Sequence, residues 1–314
     1  MSELGYALSS EEHAPGELVR NAARAEEAGF TFALISDHIH PWVDAQGHSA
    51  FVWSAIGAIA QATERLKLGT GVTCPMIRIH PAIVAHAAAT CAVLMEGRFF
   101  LGVGSGENLN EHVTGAKWPA PDERLEMLEE AVQVIRLLWK GGYQTHRGKH
   151  YTVEHTRIFD LPDEPIEVAV AAMQPKAAEL AGRIGDSFVN VTPDEELVAK
   201  FDAGGAKGRS KYGQVTGCFA KTEEEARKKV AEVWPNALVE GAASQELPYP
   251  EHFEQVAEAG DPADLEMPLG PDPEPWLEQI KAFEEAGFTH VYLHQIGQDQ
   301  DAFFEFAKRE LIAR

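Results

Sequence analysis

Eight short runs of β-branched and apolar residues alternate with longer runs of helical spacing, and this alternation constrains the fold more than any other feature of the chain. The strand-like runs are Tyr6–Leu8, Phe32–Ile35, Leu66–Val72, Phe99–Val103, Ile166–Ala171, Phe188–Val191, Val215–Ala220 and Val291–His294. Between them the spacing predicts helices over Pro15–Ala28, Val52–Ala62, Pro81–Met95, Pro121–Leu138, Pro175–Ile184, Glu195–Phe201, Pro275–Ala286 and Ala302–Ile312. A further helix starts at Thr222, where Thr222 and Glu225 read as a capping box. Gly29 stands where a glycine ends a helix, and Pro81 and Pro175 suit first helical positions. Short strands that alternate with helices belong to a parallel sheet covered on both faces. Eight units predict an α/β fold, a (β/α)8 TIM barrel over residues 1–314, with insertions near 141–160 and 235–272 where the rhythm breaks. The segment EEAGFT occurs at 26–31 and again at 284–289, each time as helix, glycine stop and buried strand. A doubly wound open sheet is the runner-up; its dinucleotide-binding form wants GxGxxG after the first strand, and none stands there.

Charge narrows the class of partner. The chain carries 27 Lys+Arg against 49 Asp+Glu, a formal charge of −22. This argues against a protein that tracks nucleic-acid phosphates or docks on anionic lipid. No apolar run approaches a membrane span, and the first residues lack the cationic and apolar regions of a signal peptide, so a cytoplasmic protein is expected. Cys74, Cys91 and Cys218 fit no zinc spacing and read as small apolar packers in a reducing compartment. Residues 158–314 hold 31 acids and 14 bases, and residues 230–280 hold 12 acids with no Lys or Arg at all. A solvated acidic surface and adaptation to a salty cytoplasm both account for the surplus.

In a barrel of this kind chemistry lies just beyond the strand ends. The second strand runs into Ser36-Asp37-His38-Ile39-His40-Pro41-Trp42. A histidine beside an aspartate suits proton transfer, His38 and His40 also make a possible metal pair with His294, and a merely packed histidine is the third reading. The fourth strand runs into Gly104-Ser105-Gly106-Glu107-Asn108, where glycines allow close approach of a flat ligand and Glu107, if enclosed, suits an acid. Gly69 and Gly71 in the third strand point either to contact with a ligand or to a tight barrel corner.

Taken together, SDHIHPW (36–42), LGTGV (68–72), FLGVGSGENLNE (100–111) and AGRIGDSFV (181–189) resemble the luciferase-like flavin and deazaflavin superfamily. Within it the chain resembles the branch of coenzyme F420-dependent dehydrogenases typified by the F420-dependent glucose-6-phosphate dehydrogenases. The resemblance is close over residues 4–200 and looser over the last 40. It implies an enzyme that moves a hydride between a carbinol carbon and the deazaflavin of F420, in a homodimer. By this resemblance His38 is the catalytic base, Trp42 the aromatic that steadies the transition state, and Glu107 the acid on the cofactor side. Glu11 matches an active-site carboxylate after the first strand. Asp37, Gly71, Val72, Ser105, Gly106, Asn110, Ala171 and Ala172 match cofactor-contacting positions, and Gly71–Val72 corresponds to a non-proline cis peptide. No metal is implied.

The departures from that branch bear on substrate. The sugar-phosphate enzymes have AAGGP after the fifth strand, where this chain has Ala171-Ala172-Met173-Gln174-Pro175. They place a lysine shortly after the sixth strand, near Asp194 here. Phosphate-binding cations from the late insertion are missing, since that stretch is acidic throughout. A phosphate dianion would be repelled there. The expected substrate is therefore a non-phosphorylated alcohol or sugar. The rival readings are an FMN-dependent monooxygenase of the same superfamily, a sugar-6-phosphate dehydrogenase, a metal hydrolase on His38, His40 and His294, and a non-catalytic binder.

Overall fold

A computed structural model describes residues 2–239, 241–261 and 265–313. Eight parallel strands close into a barrel: β1 (Glu3–Leu8), β2 (Phe32–Ile35), β3 (Lys67–Thr70), β4 (Phe99–Val103), β7 (Val168–Ala171), β8 (Ser187–Asn190), β9 (Lys211–Gly217) and β10 (His290–Gln295). Two further strands, β5 (Gln144–Arg147) and β6 (Thr152–Thr156), form a separate antiparallel hairpin. The barrel closes because β1 pairs with β2 on one side and with β10 on the other. The outer ring contains α1 (Pro15–Ala28), α2 (Val52–Ala62), α3 (Pro81–Leu94), α5 (Pro121–Leu138), α6 (Pro175–Ile184), α7 (Glu195–Phe201), α8 (Glu223–Val233), α11 (Glu274–Glu285) and α12 (Asp301–Ala307). Short helices α4 (Asn108–Glu111), α9 (Ala243–Glu246) and α10 (Pro250–Ala257) lie in loops at the C-terminal ends of the strands.

Side-chain alternation divides the core into two shells. Tyr6, Leu8, Ala33, Ile35, Val291 and Leu293 face outward and pack under the helices. Ala7, Phe32, Leu34, Phe100, Tyr212 and Tyr292 face the barrel axis. The lower interior is plugged by aromatic rings. Phe100 stacks on Tyr212 with centroids 5.1 Å apart, and Phe32 meets Tyr212 edge-on at 5.4 Å. Rings this large fit only where facing residues are small. A Cβ on Gly69 would lie 2.1 Å from the Phe100 ring, and one on Gly5 would lie 2.5 Å from the Phe32 ring. Gly69 thus serves barrel packing, which settles one of the two readings of the glycines in that strand. The plug leaves the barrel open only toward the C-terminal ends of its strands.

Six of the eight barrel strands are offset from the expected ranges, while Phe32–Ile35 and Phe99–Val103 coincide with them, and two of the offsets bear on the site. The seventh barrel strand lies at Lys211–Gly217 rather than Val215–Ala220. Its polar start hides it: Lys211 is buried yet paired with Asp202 at 3.1 Å, and Tyr212 points into the aromatic plug. Beyond it, Cys218 bridges to Leu269, so the expected strand end is drawn into the late segment instead. The third strand stops at Thr70, and a cis peptide joins Gly71 and Val72 just beyond it.

The EEAGFT echo is structural. Both copies end a helix at a left-handed glycine, Gly29 (φ 106°) and Gly287 (φ 94°), and lead into a barrel strand. Both first glutamates also accept backbone N–H groups from a segment entering another strand. Glu26 takes those of Glu64, Arg65 and Leu66 before β3, and Glu284 takes that of Ser2 before β1. The hairpin is stitched to α5 by Glu130, which accepts from the N–H groups of His150 and Tyr151 and faces His146 at 3.0 Å. The late segment lies over the barrel mouth: Val239, Phe253 and Ala257 form a small apolar cluster with Val43 and Leu109 from barrel loops.

Candidate active site

On four strands the inward-facing position one step beyond the apolar layer is polar. Ala7 is followed by Ser9 on the same side, Leu34 by Ser36, Tyr212 by Gln214, and Tyr292 by His294. These residues rim a cavity of about 350 Å³ at the C-terminal end of the barrel. Its floor is apolar, from Ala7, Leu34, Val72, Ala171, Val189 and Tyr292. Its outer wall comes from the late segment, including Trp234, Val239 and Phe253.

Seven of the twelve residues singled out from sequence line this cavity: Glu11, His38, Trp42, Gly71, Val72, Glu107 and Ala171. Glu11 is buried after β1. Its Oε2 accepts from the hydroxyls of Ser9 (2.9 Å) and Ser36 (2.7 Å). Its Oε1 lies 3.1 Å from His38 Nδ1, close enough for charge pairing although bent away from hydrogen-bond alignment. A carboxylate on Nδ1 favours the tautomer with its proton there, which leaves Nε2 free to accept a proton. Trp42 meets the His38 ring edge-on at 4.9 Å and restricts its rotation. Trp42 is itself held by Phe253, edge-on at 5.3 Å.

The other five residues lie behind the lining. Asp37 is buried, accepting from Thr73 Oγ1 (2.7 Å) and Arg78 Nη2 (2.9 Å). Asn110 Oδ1 accepts from the N–H groups of Ile39 (2.9 Å) and His40 (3.3 Å), so it fixes the loop that carries His38. Gly106 has φ +73°, and a Cβ there would lie 2.6 Å from Cys74 Sγ. Ser105 sits beside it, half-buried, and Ala172 continues β7 through its N–H bond to Val189 O. These residues support the lining from behind.

Beneath them is a buried ionic shelf that sequence reading missed. Arg78 spans Asp37 (2.9 Å) and Glu111 (3.5 Å), with all three side chains nearly inaccessible. Burial lowers the tendency of Arg78 to hold its charge, but Asp37 and Glu111 outweigh it and raise its pKa. Burial, reinforced by Glu107, raises the pKa of Glu111 against the opposing effect of Arg78 and its N–H. The three cysteines are buried, and burial pushes Cys218 up to about 11 and Cys91 up to about 12, so neither is a thiolate nucleophile near neutrality.

The HxH pair and His294 do not converge. His40 stacks on His112 at 5.7 Å, and His294 Nε2 is bound to Glu12 Oε2 at 2.7 Å. Among the described residues no group of three or more His, Cys, Asp or Glu is arranged to hold a metal. Glu12, the buried carboxylate that holds His294, was missed from sequence; its only signal is its place next to Glu11. Trp234 and Phe253 were missed because nothing local marks the late segment as cavity wall.

Asp194, near which the resemblance put a lysine of the sugar-phosphate enzymes, is a helix cap. Asp194 Oδ1 accepts from the N–H groups of Glu196 (2.8 Å) and Leu197 (3.0 Å) at the start of α7. No Lys or Arg lines the cavity among the described residues.

A closed (β/α)8 barrel with a carboxylate-backed histidine at its C-terminal mouth defines an enzyme of the TIM-barrel class. Residues 1–290 match the luciferase-like monooxygenase family, and the chain belongs to it. It is 33% identical, over 100% of its length and 97% of the relative, to an F420-dependent glucose-6-phosphate dehydrogenase of Beutenbergia cavernae. It is 34% identical to an F420-dependent hydroxymycolic acid dehydrogenase of Mycobacterium tuberculosis, over 98% of this chain and 87% of that one. Among solved structures it is similar to an F420-dependent secondary alcohol dehydrogenase in complex with an F420-acetone adduct. That match has a TM-score of 0.92 and 28% identity, over 99% of this chain and 98% of that one.

Proposed function

We propose that this protein is an F420-dependent dehydrogenase that interconverts a non-phosphorylated alcohol or sugar with its carbonyl form. The observation that carries the reading is that the His38–Glu11 pair and Glu107 open on one cavity whose lining holds no Lys or Arg among the described residues. The relatives named above work on a sugar phosphate, a hydroxylated lipid and a secondary alcohol, and each depends on F420. What they share is a carbinol carbon.

The floor suits a flat, apolar ring. Val72 and Ala171 present small side chains there, and a Cβ on Gly104 would lie 2.8 Å from Val72 Cγ2, so the loop can follow the floor closely only as glycine. Gly71, Val72 and Ala171 would hold the deazaflavin, with Asp37, Ser105, Gly106, Asn110 and Ala172 supporting it from the loops. When bound, F420 accepts the hydride from the carbinol carbon.

His38 Nε2 takes the hydroxyl proton as that carbon is oxidised, and Glu11 stabilises the imidazolium that results. The hydroxyls of Ser9 and Ser36 hold Oε2 of Glu11 in place, so its Oε1 stays beside His38. Trp42 shields the pair from water. Glu107 serves as the acid–base group on the cofactor side, so two groups of opposite duty share the site.

The substrate assignment rests on charge. A phosphate dianion buried without a cation loses its hydration and gains no partner. The segment over the mouth adds no cation, since residues 230–280 contain no Lys or Arg and the residues it lends to the lining are uncharged. The reading includes one domain over residues 1–314 with insertions near 141–160 and 235–272, a homodimer and a cytoplasmic location. Sedimentation velocity tests the dimer.

The deciding experiment is a fluorescence titration with F420 and with FMN, followed by turnover of F420 with glucose 6-phosphate and with unphosphorylated alcohols and sugars. F420 binding with turnover of the neutral substrates is expected. Exclusive use of the phosphate ester overturns the substrate assignment, and tight FMN binding without F420 binding overturns the cofactor.

A further inference from the structure

Beside the cavity lies a second carboxylate–imidazole pair, its imidazole in the lining, that the reaction above does not use. Glu11 and Glu12 are consecutive, and β1 lies between β2 and β10 in the barrel. Glu11 turns toward His38 beyond β2, while Glu12 turns toward His294 at the end of β10. The second pair is the tighter and the more buried. His294 Nε2 lies 2.7 Å from Glu12 Oε2, both side chains are at most 3% exposed, and Glu12 Oε1 accepts the N–H of Gly297 at 2.7 Å. Trp234 meets the His294 ring edge-on at 4.5 Å. The ring is thus fixed on one nitrogen and one edge.

Its other nitrogen is not committed. His294 lines the cavity, and its Nδ1 is buried without a hydrogen-bond partner among the described residues. On nearby β8, Asn190 also lines the cavity, and its Nδ2 is buried and unpartnered in the same sense. Buried polar atoms without partners cost stability unless a ligand or water satisfies them. An acceptor on His294 and a donor on Asn190, with no cation in the lining, match a neutral ligand rich in hydroxyl groups. A hydroxyl both donates and accepts, so it satisfies His294 Nδ1 whether that atom is bare or protonated.

We infer that His294, held by Glu12, is a positioning residue that binds a second hydroxyl of the substrate, so that the enzyme prefers diols and polyols to alcohols with a single hydroxyl. The inference rests on the dehydrogenase reading and narrows its substrate class. His38 receives the proton from the reacting carbinol, and His294 anchors a hydroxyl elsewhere on the same molecule. A site built to hydrogen-bond a hydroxyl discriminates against analogues that lack it, because the buried partner is then left unpaired.

The test uses full-length protein with F420 and three substrates of equal carbon count: butan-2-ol, butane-2,3-diol and erythritol. F420 affinity is first measured by fluorescence titration for wild type, His294→Phe and His294→Gln. Wild type is expected to show a higher kcat/KM for the polyhydroxylated substrates. His294→Phe is expected to raise their KM by about 10-fold, the loss of one buried hydrogen bond. In the same variant the KM for butan-2-ol, kcat and F420 affinity stay within roughly twofold. His294→Gln keeps an acceptor and recovers part of the loss. Equal losses on all three substrates, or a wild type that binds F420 yet prefers no polyol, overturn the inference. Failure of wild type to bind F420 overturns the functional reading itself, which separates the two outcomes.

Discussion

Trp42 and Phe253 meet edge to face with ring centroids 5.3 Å apart, one from the loop after β2 and the other from helix α10 of the late segment. This contact ties the outer wall of the cavity to the aromatic residue beside His38. Phe253 is almost fully buried in the small cluster that includes Val43 and Leu109. Truncating it removes the edge that holds Trp42 and leaves a void under the wall.

Phe253→Ala should therefore destabilise the protein by about 3 kcal/mol, in the range for large-to-small substitutions of a buried phenylalanine. It should also lower kcat/KM by about 10-fold, since Trp42 and His38 lose their support. Urea denaturation and steady-state kinetics with F420 check both. Unchanged kinetics in a folded variant would show that the late segment does not position the catalytic loop.

His38→Ala removes the proton acceptor and should lower turnover by about 10²- to 10⁴-fold, the usual worth of a positioned general base. F420 affinity should be unchanged, because His38 is proposed to act on the substrate side. Glu11→Gln keeps the shape but not the charge beside His38, so its loss should be real but smaller. Stopped-flow measurement of deazaflavin reduction separates this effect from binding.

Glu12 makes a pH prediction. Burial alone would raise its pKa, but the hydrogen bond and charge of His294 and the N–H of Gly297 outweigh burial and hold it below the usual carboxylate range. A carboxyl with a depressed folded pKa stabilises the fold above the unfolded value of about 4.3, and that contribution is lost as pH falls through the folded value. Wild type should thus exceed Glu12→Gln in stability at neutral pH, and the gap should close as the pH drops below about 4. Thermal melts of both proteins across this range decide it; a gap that does not change with pH would contradict the charged pair.

Glu26 gathers three backbone N–H groups at the entry to β3. Desolvation is the largest single influence and raises its pKa, but those three bonds and the charge of Arg65 together outweigh it and lower the pKa. Glu26→Ala leaves the N–H groups to find water and should cost about 1–3 kcal/mol. Glu26→Gln, with one acceptor remaining, should cost less. Equilibrium denaturation orders the three proteins; no difference between Ala and wild type would mean that water replaces the carboxylate without cost.

The barrel was legible because its elements are local. Pro15–Ala28, Val52–Ala62 and Pro121–Leu138 are helices at the expected residues, since helical spacing, joined in the first and third by a first-turn proline and in the first by a stopping glycine, acts within a few positions. The strand Lys211–Gly217 was displaced because its signal is not local: Lys211 is buried only by virtue of Asp202, and Tyr212 only by virtue of Phe32 and Phe100. The late segment lacked any readable period, and its role as cavity wall depends on where the barrel loops place Val43 and Leu109.

By itself the sequence determined the alternation that makes the barrel, the loops that carry His38 and Glu107, and the acidic, cation-free composition of the late segment. Only the tertiary structure decided which of the marked residues meet. It brought Glu11 to His38, placed Asp37 and Asn110 behind the lining, and turned Glu12 to His294 across the other side of β1. The reason is geometric. Consecutive residues at a strand end point to different neighbours, and which neighbours these are is set by closure of β1 onto β10, a contact between the two ends of the chain that no local pattern encodes.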